Sequence, residues 1–296
     1  MPKEKEYVYL PVGDFLVERV DRTTAYEMPS FHLHYKYEIY YEIEGTRRYF
    51  IEDSAYIVHA GSVVLIGENQ IHKTGAIGDG PSSRIVVNFS AAYLAELTRS
   101  FPGVDFCGFL NEKENHLLHT LTPRQQNYVY ALLCQLLALA DDTGRQVCAA
   151  KKLLLGTLLL YLQKQCRLQR ELGCGSGRVT NCLVDQVQGY VVQHYAEKLT
   201  LPQIAARFYI SPCYLSRLFK RTINLSLVEY INGVRVKAAQ RQLEKTRRSI
   251  SEVAADTGFS TVAHFRRVFK EATGLSPQQY RQYSLRQTRE DADEGE

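Results

Sequence analysis

The sequence predicts an α+β protein with a β-rich N-terminal half and an all-helical C-terminal half. Short runs rich in Tyr, Val and Ile, punctuated by Gly, fill residues 7–90, whereas a two-helix pattern occurs twice within residues 204–280. The charge changes between the halves as well. Residues 173–289 hold 18 Lys and Arg against 7 Asp and Glu, while residues 1–172 hold 18 against 20. We therefore expect only the basic half to bind a polyanion.

The length and the composition divide the chain into two domains. A chain of 296 residues is long enough for about two domains. Three Gly residues between positions 173 and 177 mark a linker, predicted at 173–180, where the charge also changes. The domains are then 1–172 and 181–289. The segment 290–296 contains five acidic residues and is predicted to be a disordered, solubilising tail.

Cysteine usage and hydropathy predict a cytoplasmic protein without a membrane partner. The seven Cys residues are odd in number and form no CxxC pair, which indicates reduced thiols rather than disulfides or a zinc site. The first ten residues are charged and lack an apolar core, so no signal peptide is predicted. The most apolar helical stretch, Leu153–Leu162, is too short to span a bilayer.

The N-terminal domain is predicted to begin with strands and to end with helices. Several short strands separated by turns are typical of a small sandwich or barrel. The predicted strands are Tyr37–Ile43, Arg48–Ile51, Tyr56–Val58, Val63–Ile66 and Arg84–Phe89, and the predicted helices are Ala91–Phe101, Pro123–Ala140 and Gln146–Gln169.

Two of these helices carry broad apolar surfaces. The second has a stripe that includes Tyr128 and Leu132, and the third has Leu153–Leu155 and Leu158–Leu160 around much of its circumference. A helix that is apolar on several sides must be buried from more than one side. Packing between the barrel and a neighbouring helix or a subunit interface would provide this burial, and the sequence favours a homodimer.

The helical repeat has the same plan in both copies. A shift of 50 residues places Leu215 on Phe265 and Arg217 on Arg267. Within each copy the apolar residues follow i, i+3, i+4 spacing and share an inward face, so the basic residues between them point outward. A short helix precedes each of these helices across a turn. This plan predicts two helix-turn-helix motifs with basic outer faces.

The ends of the repeated helices can also be predicted. Ser211 before Pro212 is a helix N-cap with proline at the first helical position. Asn224 and Gly274 occupy the position after each helix, and both residue types tolerate the left-handed conformation.

A long helix at Ser226–Lys245 is predicted to connect the two copies. Its inward face comprises Val228, Ile231, Val236, Ala239 and Leu243, whereas Arg235, Lys237 and Arg241 add charge. A helix of about 20 residues is about 30 Å long, close to the 34 Å of one DNA turn. It can therefore hold two recognition helices for successive major grooves.

A second pattern lies among the predicted strands. His32-x-His34-x3-Glu38 is followed by Gly45, and His72 follows Gly61 after ten residues. These spacings resemble the two motifs of cupins, in which two His, a Glu and a later His can bind one metal ion. Such nitrogen and oxygen ligands suit a divalent transition metal. However, Gly67 and Asn69 stand where the cupin motif usually has Pro and Gly.

Because of this departure, a polar pocket for a small molecule is favoured over a metal centre, and no cofactor is predicted. The metal alternative would use His32, His34, Glu38 and His72. Glu42 and Thr74 are candidates for the pocket lining. The predicted effector-binding residues are His32, His34, Glu38, Tyr40 and His72.

The helical half closely resembles the DNA-binding domain of the AraC/XylS family of bacterial transcription regulators. The matching stretch runs from about residue 183 to residue 281 and includes ISPCYLSRLFK and GLSPQQYR. The N-terminal half looks like the cupin-type sensor domain of that family. The resemblance implies a cupin-like β-barrel with a helical dimerisation segment, followed by an all-α double helix-turn-helix domain.

The resemblance also implies a function and partners. The expected protein is a transcription regulator, an activator or a repressor, that binds double-stranded promoter DNA and recruits or positions RNA polymerase. An effector in the barrel, with a carbohydrate as the first candidate, would change how a dimer arranges its DNA-binding domains.

The family's DNA contacts can be carried over by position. Arg is well suited to guanine, whereas Val and Ala offer apolar contact to a thymine methyl. Asn224 replaces the family's usual Gly. The implied base-contacting residues are Cys213, Ser216, Arg217, Val262, Ala263, Arg266 and Arg267, and the implied phosphate-binding residues are Ser211, Lys220 and Lys270.

Two alternatives to an effector-responsive regulator remain open. One is a metal-dependent cupin enzyme with an accessory DNA-binding domain, which stoichiometric metal and turnover would support. The other is an effector-free regulator whose barrel serves only dimerisation or docking, which an interior filled with side chains would support. A regulator without enzymatic activity is favoured.

Overall fold

The structure is a computed structural model that describes residues 14–174, 177–179 and 181–293. The contact pattern divides the chain into two compact units. One unit contains residues 14–28 and 34–179, and we call it the barrel unit; the other, the helical unit, contains 29–33 and the residues from 181 onward. The predictions made on the first ten residues and on 294–296 lie outside the described residues.

The described residues of the barrel unit form two antiparallel sheets and three α-helices, so the α+β prediction is confirmed. One sheet has the strand order β1-β7-β2-β5-β8 and the other β6-β3-β4-β9. The strands are β1 (Phe15–Arg22), β2 (Tyr37–Glu44), β3 (Thr46–Ile51), β4 (Ser54–His59), β5 (Val63–Ile66), β6 (His72–Ala76), β7 (Ser82–Phe89), β8 (Leu117–Leu118) and β9 (Arg178–Val179).

Alternation along β2 separates two apolar clusters. Ile39 and Tyr41 belong to the cluster shared with the helices, which also contains Leu133 and Leu159. Tyr40 belongs to the second cluster, with residues of β3, β4, β5 and β7. Because successive strand residues point to opposite faces, Glu38 and Glu42 share the side of Tyr40 and face the interior between the sheets.

The helices of the barrel unit are α1 (Ala95–Ser100), α2 (Pro123–Ala138) and α3 (Arg145–Glu171). Thr122 caps α2, accepting from the backbone N–H of Gln125 while the Gln125 side chain accepts from the Thr122 N–H. Within the single chain Tyr128 is exposed, and α3 buries only part of its circumference, since Leu153 and Leu160 are 58% and 42% exposed. The subunit interface that would bury the remaining apolar surface of α3 stays a prediction.

The predicted linker is partly a strand. Val179 pairs with Ala55 and Arg178 with Tyr56, so β9 extends the smaller sheet. Two residues of the predicted linker 173–180 therefore belong to a sheet of the barrel unit. Gly173 and Gly177 have positive φ angles of 64° and 66°, a conformation that glycine adopts without strain.

The helical unit contains seven helices among the described residues. The longest, α7, contacts α4, α6, α8, α9 and α10 and forms the centre of this unit. The last helix includes 290–293, so the expectation of disorder does not hold for those four residues. The helices are α4 (Cys182–His194), α5 (Leu201–Arg207), α6 (Pro212–Ile223), α7 (Leu227–Lys245), α8 (Ile250–Asp256), α9 (Val262–Thr273) and α10 (Pro277–Asp293).

Most of the inward face predicted for α7 is confirmed, with two corrections. Val228 is 60% exposed, and Leu227 and Tyr230 are buried at this end of the helix instead. Arg235 does not simply add surface charge, because its guanidinium donates to the backbone oxygens of Tyr195 at 2.8 Å and Glu197 at 2.9 Å. It thereby satisfies carbonyls at the end of α4.

All seven cysteines lie within the described residues, and each is a free thiol there. Among the described helices, none combines the length and the apolar character needed to cross a membrane.

Candidate functional site

The two exposed helices α6 and α9 begin and end in the same way. The Ser211 hydroxyl accepts from the Tyr214 N–H at 3.2 Å, and the Thr261 hydroxyl accepts from the His264 N–H at 3.2 Å. Each helix is 12 residues long and ends at a left-handed residue, Asn224 or Gly274, with φ angles of 61° and 74°. The predicted cap and both predicted left-handed ends are confirmed.

The inward faces of α6 and α9 anchor them in the helical unit. Leu215, Phe219, Phe265 and Phe269 are fully buried. The side chains predicted to contact DNA lie on the opposite faces, where they are exposed or, for Ser216 and Val262, half-buried. These outward residues are Ser211, Cys213, Ser216, Arg217 and Lys220 on the first helix and Val262, Ala263, Arg266, Arg267 and Lys270 on the second.

One residue of this surface was missed by the sequence interpretation. Tyr209, in the turn before α6, is 94% exposed and has a φ of 56°. Its counterpart in the turn before α9 is Gly258, with a φ of 82°. Comparing the two turns residue by residue would have identified Tyr209, because an aromatic residue there replaces a glycine in a left-handed position.

In the barrel unit, three of the predicted effector residues meet on one side of β2. The Glu38 carboxylate lies 3.3 Å from His34 Nε2 and 3.9 Å from His72 Nε2, and Tyr49 donates its hydroxyl to Glu38 at 3.2 Å. All four side chains are buried. His32 is also buried, but it lies in the segment grouped with the helical unit, so this cluster is built from His34, Glu38, His72 and Tyr49.

Backbone contacts restrict the protonation of this cluster. His34 Nδ1 lies 2.8 Å from the Lys36 carbonyl and His72 Nδ1 lies 2.9 Å from the Gln70 carbonyl, so each Nδ1 carries a proton. Burial lowers the pKa of His72 to about 4, which keeps that ring neutral above this pH. The Nε2 atoms of His34 and His72 then carry no proton and face the Glu38 carboxylate as hydrogen-bond acceptors, unless His34 is protonated on both nitrogens.

The pKa of Glu38 lies below its usual value. Burial alone raises the pKa, but the hydrogen bond with His34 and the electrostatic effects of the His72 and His34 rings outweigh burial. Two arrangements satisfy this geometry: His34 as an imidazolium that donates to Glu38, or a cation held among the three ligand atoms. The donor set of two imidazoles and one carboxylate is chemically suited to a transition metal, and backbone bonds to the distal nitrogens are typical of metal-binding histidines.

A second polar cluster lies further along β2. Tyr40 donates its hydroxyl to Glu42, and Arg47 donates to the Thr74 hydroxyl at 3.0 Å and to the Tyr26 carbonyl at 3.1 Å. Burial raises the pKa of Glu42 to about 7, against the lowering effects of Tyr40, Arg47 and Arg84.

Two atoms of this second cluster lack hydrogen-bond partners within the described structure. They are Glu42 Oε1 and Arg47 Nη1, and both side chains are fully buried. A buried polar group without a partner costs about 1–3 kcal/mol, so such atoms indicate a place for water or for a ligand. Sequence reasoning missed Arg47 because its position depends on the pairing of β3 with β6.

Three tyrosines occupy the interior beside these clusters. Tyr40, Tyr49 and Tyr56 are all buried, and the rings of Tyr40 and Tyr49 meet edge to face with centroids 5.1 Å apart. The interior therefore combines aromatic surface with acidic, basic and hydroxyl groups. This mixture is typical of sites that orient a small polar molecule.

Two family models match the chain. The model described as AraC-like ligand binding domain matches residues 17–159, and the one described as Helix-turn-helix domain matches residues 204–283. The first match covers the barrel unit almost from β1 to the middle of α3, and the second covers both exposed helices.

Similar proteins include several described as regulators. Over 101 residues the chain is 38% identical to the bifunctional transcriptional activator/DNA repair enzyme AdaA of Bacillus subtilis (strain 168), a match that covers 34% of this chain and 48% of that protein. It is 36% identical over 106 residues to the Msm operon regulatory protein of Streptococcus mutans serotype c, a match that covers 36% of this chain and 38% of that protein. The chain thus spans less than half the length of these two relatives.

A longer match extends over most of the chain. The chain is 25% identical over 253 residues to the uncharacterized HTH-type transcriptional regulator YdiP of Escherichia coli (strain K12), covering 82% of this chain and 78% of that protein.

Proposed function

This chain belongs to the AraC/XylS family of transcription regulators, and from that premise we propose that it binds promoter DNA through both α6 and α9 and responds to a small molecule in its barrel. The observation that carries the proposal is the repeated surface: two equally long, equally capped helices that bury apolar residues and expose basic ones. Helix α7 has 19 residues and is about 28 Å long, which suits two helices entering successive major grooves.

The DNA-binding proposal is tested with Arg267→Ala. An operator is first selected from random duplexes with the purified full chain, and affinities are then measured by fluorescence anisotropy. Loss of a bidentate contact to guanine should weaken operator binding by about 1–3 kcal/mol and relax one base preference. Arg99→Ala, in an exposed position of α1, is the matched control. Equal losses on operator and random DNA would contradict a role in base recognition.

For the effector we propose a carbohydrate or a similar neutral polyol. Glu42 Oε1 is a buried acceptor and Arg47 Nη1 a buried donor, each without a hydrogen-bond partner in the described structure, and a sugar hydroxyl can pair with either kind of group. The test is a thermal-shift screen of sugars, followed by DNA binding with and without each stabilising sugar. Glu42→Gln should reduce the stabilisation. If no sugar changes the melting temperature or the affinity for DNA, the interpretation as an effector-free regulator is favoured.

A second candidate is a metal-dependent site. The observation in its favour is the convergence of His34, Glu38 and His72 through atoms that all accept hydrogen bonds when both rings are neutral. A bound metal ion would act there as a Lewis acid or as a structural centre. Equilibrium dialysis with Zn²⁺ and Co²⁺ followed by metal analysis tests this, and His72→Gln should bind less metal. The proposal of a regulator without enzymatic activity predicts no turnover with or without bound metal.

Dimerisation and contact with RNA polymerase are further parts of the proposal. The exposed Leu153 and Leu160 are seven residues apart on one side of α3, which suits a second copy of the chain. Sedimentation should show that Leu160→Glu weakens self-association, whereas Val192→Glu, at an exposed position of α4, should not. Transcription in vitro with purified polymerase distinguishes activation from repression.

A further inference from the structure

Arg267 is held in place on the surface of α9 by two neighbouring side chains. Its Nη1 donates to both carboxylate oxygens of Glu271, at 2.8 and 3.1 Å. Its Nη2 lies 3.3 Å from His264 Nδ1, which accepts the hydrogen bond. His264 precedes Arg267 by three residues and Glu271 follows it by four, so all three share one side of the helix.

The first copy of the repeat lacks this arrangement. The 50-residue shift places Tyr214 on His264, Arg217 on Arg267 and Arg221 on Glu271. An arginine therefore replaces the acid, and two like charges lie one turn apart. Within the part of the chain that the structure describes, Arg217 and Arg221 form no hydrogen bond or ion pair.

This difference gives the helices unequal electrostatic character. The residues of α6 include three bases and no acid, whereas α9 has three bases and Glu271. Guanidinium groups without an acidic partner, such as those of Arg217 and Arg221, suit phosphate contacts, which depend on charge more than on direction. A guanidinium whose direction is already restricted loses less side-chain freedom when it forms a directional bond to a base edge.

We propose that Glu271 is a positioning residue for Arg267, and that the two helices divide their work. Helix α9 reads sequence through a pre-oriented Arg267, and α6 supplies more of the sequence-independent attraction to phosphates. This inference rests on the proposed DNA-binding function. The ion pair is exposed and therefore weak and salt-sensitive, so the effect is a few-fold one.

The test uses Glu271→Gln, Glu271→Ala and the exchange Arg221→Glu in the full chain. Affinity is measured for the operator, for an operator changed at the base pair that Arg267→Ala identifies, and for random duplex. Glu271 and Arg221 are exposed, and melting curves by circular dichroism check that each variant folds.

We expect Glu271→Gln and Glu271→Ala to lower discrimination at that base pair by about 3- to 10-fold. Their affinity for random DNA should stay equal or rise, because a negative charge is lost. In an Arg267→Ala background, Glu271→Gln should have no further effect on discrimination. Arg221→Glu should weaken operator and random DNA alike and reduce the slope of log affinity against log salt by about one.

Two results would overturn the inference: unchanged discrimination in Glu271→Gln, or an equal loss of discrimination when Arg267 is already absent. If the proposed DNA-binding function itself were wrong, the result would differ: Arg267→Ala alone would then leave recognition of the operator intact.

Discussion

Single residues of the helical unit adopt backbone conformations that their type disfavours, and Tyr209 is the clearest case. A left-handed φ costs an ordinary L-residue roughly 1–2 kcal/mol relative to glycine. Because Tyr209 is 94% exposed, its ring contributes little packing that could offset this strain. The strain therefore remains in the folded state, at a turn beside the proposed DNA-binding surface.

We expect Tyr209→Gly to stabilise the helical unit by about 0.5–1 kcal/mol, since relief of strain exceeds the added entropy of the unfolded chain. Urea unfolding measures the change. Asn224→Gly is the matched comparison and should gain less, because asparagine tolerates its φ of 61° better. A destabilised Tyr209→Gly would show that the ring makes a stabilising contact.

His116 predicts how stability depends on pH. Burial lowers its pKa to about 4, and Tyr56 lies 3.2 Å from its Nδ1. In the unfolded chain the pKa returns to about 6.5, so between pH 6.5 and pH 4 the unfolded state binds a proton that the folded state does not. Folding stability must therefore fall as the pH falls through this window.

The His116→Gln variant should lose less stability than the unchanged protein between pH 7 and pH 5, by about 1–2 kcal/mol. Urea unfolding at the two pH values measures this. His59→Gln, at an exposed position, should retain the original pH dependence. Identical pH dependence in His116→Gln would mean that this ring is not buried in its neutral form.

At the scale of secondary-structure elements, two glycines of the helical unit have opposite roles. A Cβ on Gly258 would approach the backbone oxygens of Tyr195 and Ala196 to 2.5 and 2.9 Å, at a φ of 82°. A Cβ on Gly189, inside α4, would meet no atom within 4 Å. The turn before α9 therefore requires glycine at position 258, whereas α4 has room for a side chain at position 189.

Gly258→Ala should destabilise the helical unit by about 2–4 kcal/mol, because neither the clash nor the φ angle can be relieved without moving the backbone. Gly189→Ala should instead stabilise it by about 0.5–1 kcal/mol through helix propensity. Thermal melts of both variants check the pair. Effects of the same sign would contradict this account of the turn.

The elements that local sequence signals define were the ones that could be predicted. Strand β5 and the limits of α6 follow from β-branched runs, the Ser211 cap and the left-handed Asn224. Strand β6 was missed, since HKTGA has little intrinsic β preference and becomes a strand only by pairing with β3. The wrong placement of Val228 arose because helical periodicity cannot tell which adjoining helix covers the first turn of α7.

The same limit applies to the candidate sites. The spacing of His34 and Glu38 and the later His72 predicted residues that do meet, whereas Tyr49 and Arg47 joined the interior only through strand pairing distant in sequence. On the proposed DNA-binding surface, the repeat correctly predicted which side chains are exposed. The bond between Arg267 and Glu271 could have been found from i, i+4 spacing alone.

At the scale of the whole molecule, charge is distributed unevenly along the chain. The segment 290–296 contains five acidic residues, whereas residues 173–289 have an excess of 11 bases. An acidic segment joined to a basic domain competes with DNA for the same Lys and Arg side chains, and this competition weakens as the salt concentration rises.

Removal of 290–296 raises the net charge from +4 to +9. We expect the shortened chain to bind random duplex about 2- to 10-fold more tightly at low salt, with the difference vanishing near 0.5 M salt, where charges are strongly screened. Anisotropy titrations at several salt concentrations measure this. A neutral replacement of equal length, with Ser at the five acidic positions, should behave as the deletion does if charge is responsible.

Because α6 and α9 begin and end in the same way, the segments that contain them can be exchanged for one another. Residues 211–224 and 261–274 both comprise 14 positions that open on a hydroxyl and close on a left-handed turn. Either block could be transplanted into the other location without rebuilding its ends. We expect a chimera with two identical blocks to fold and to prefer a different operator.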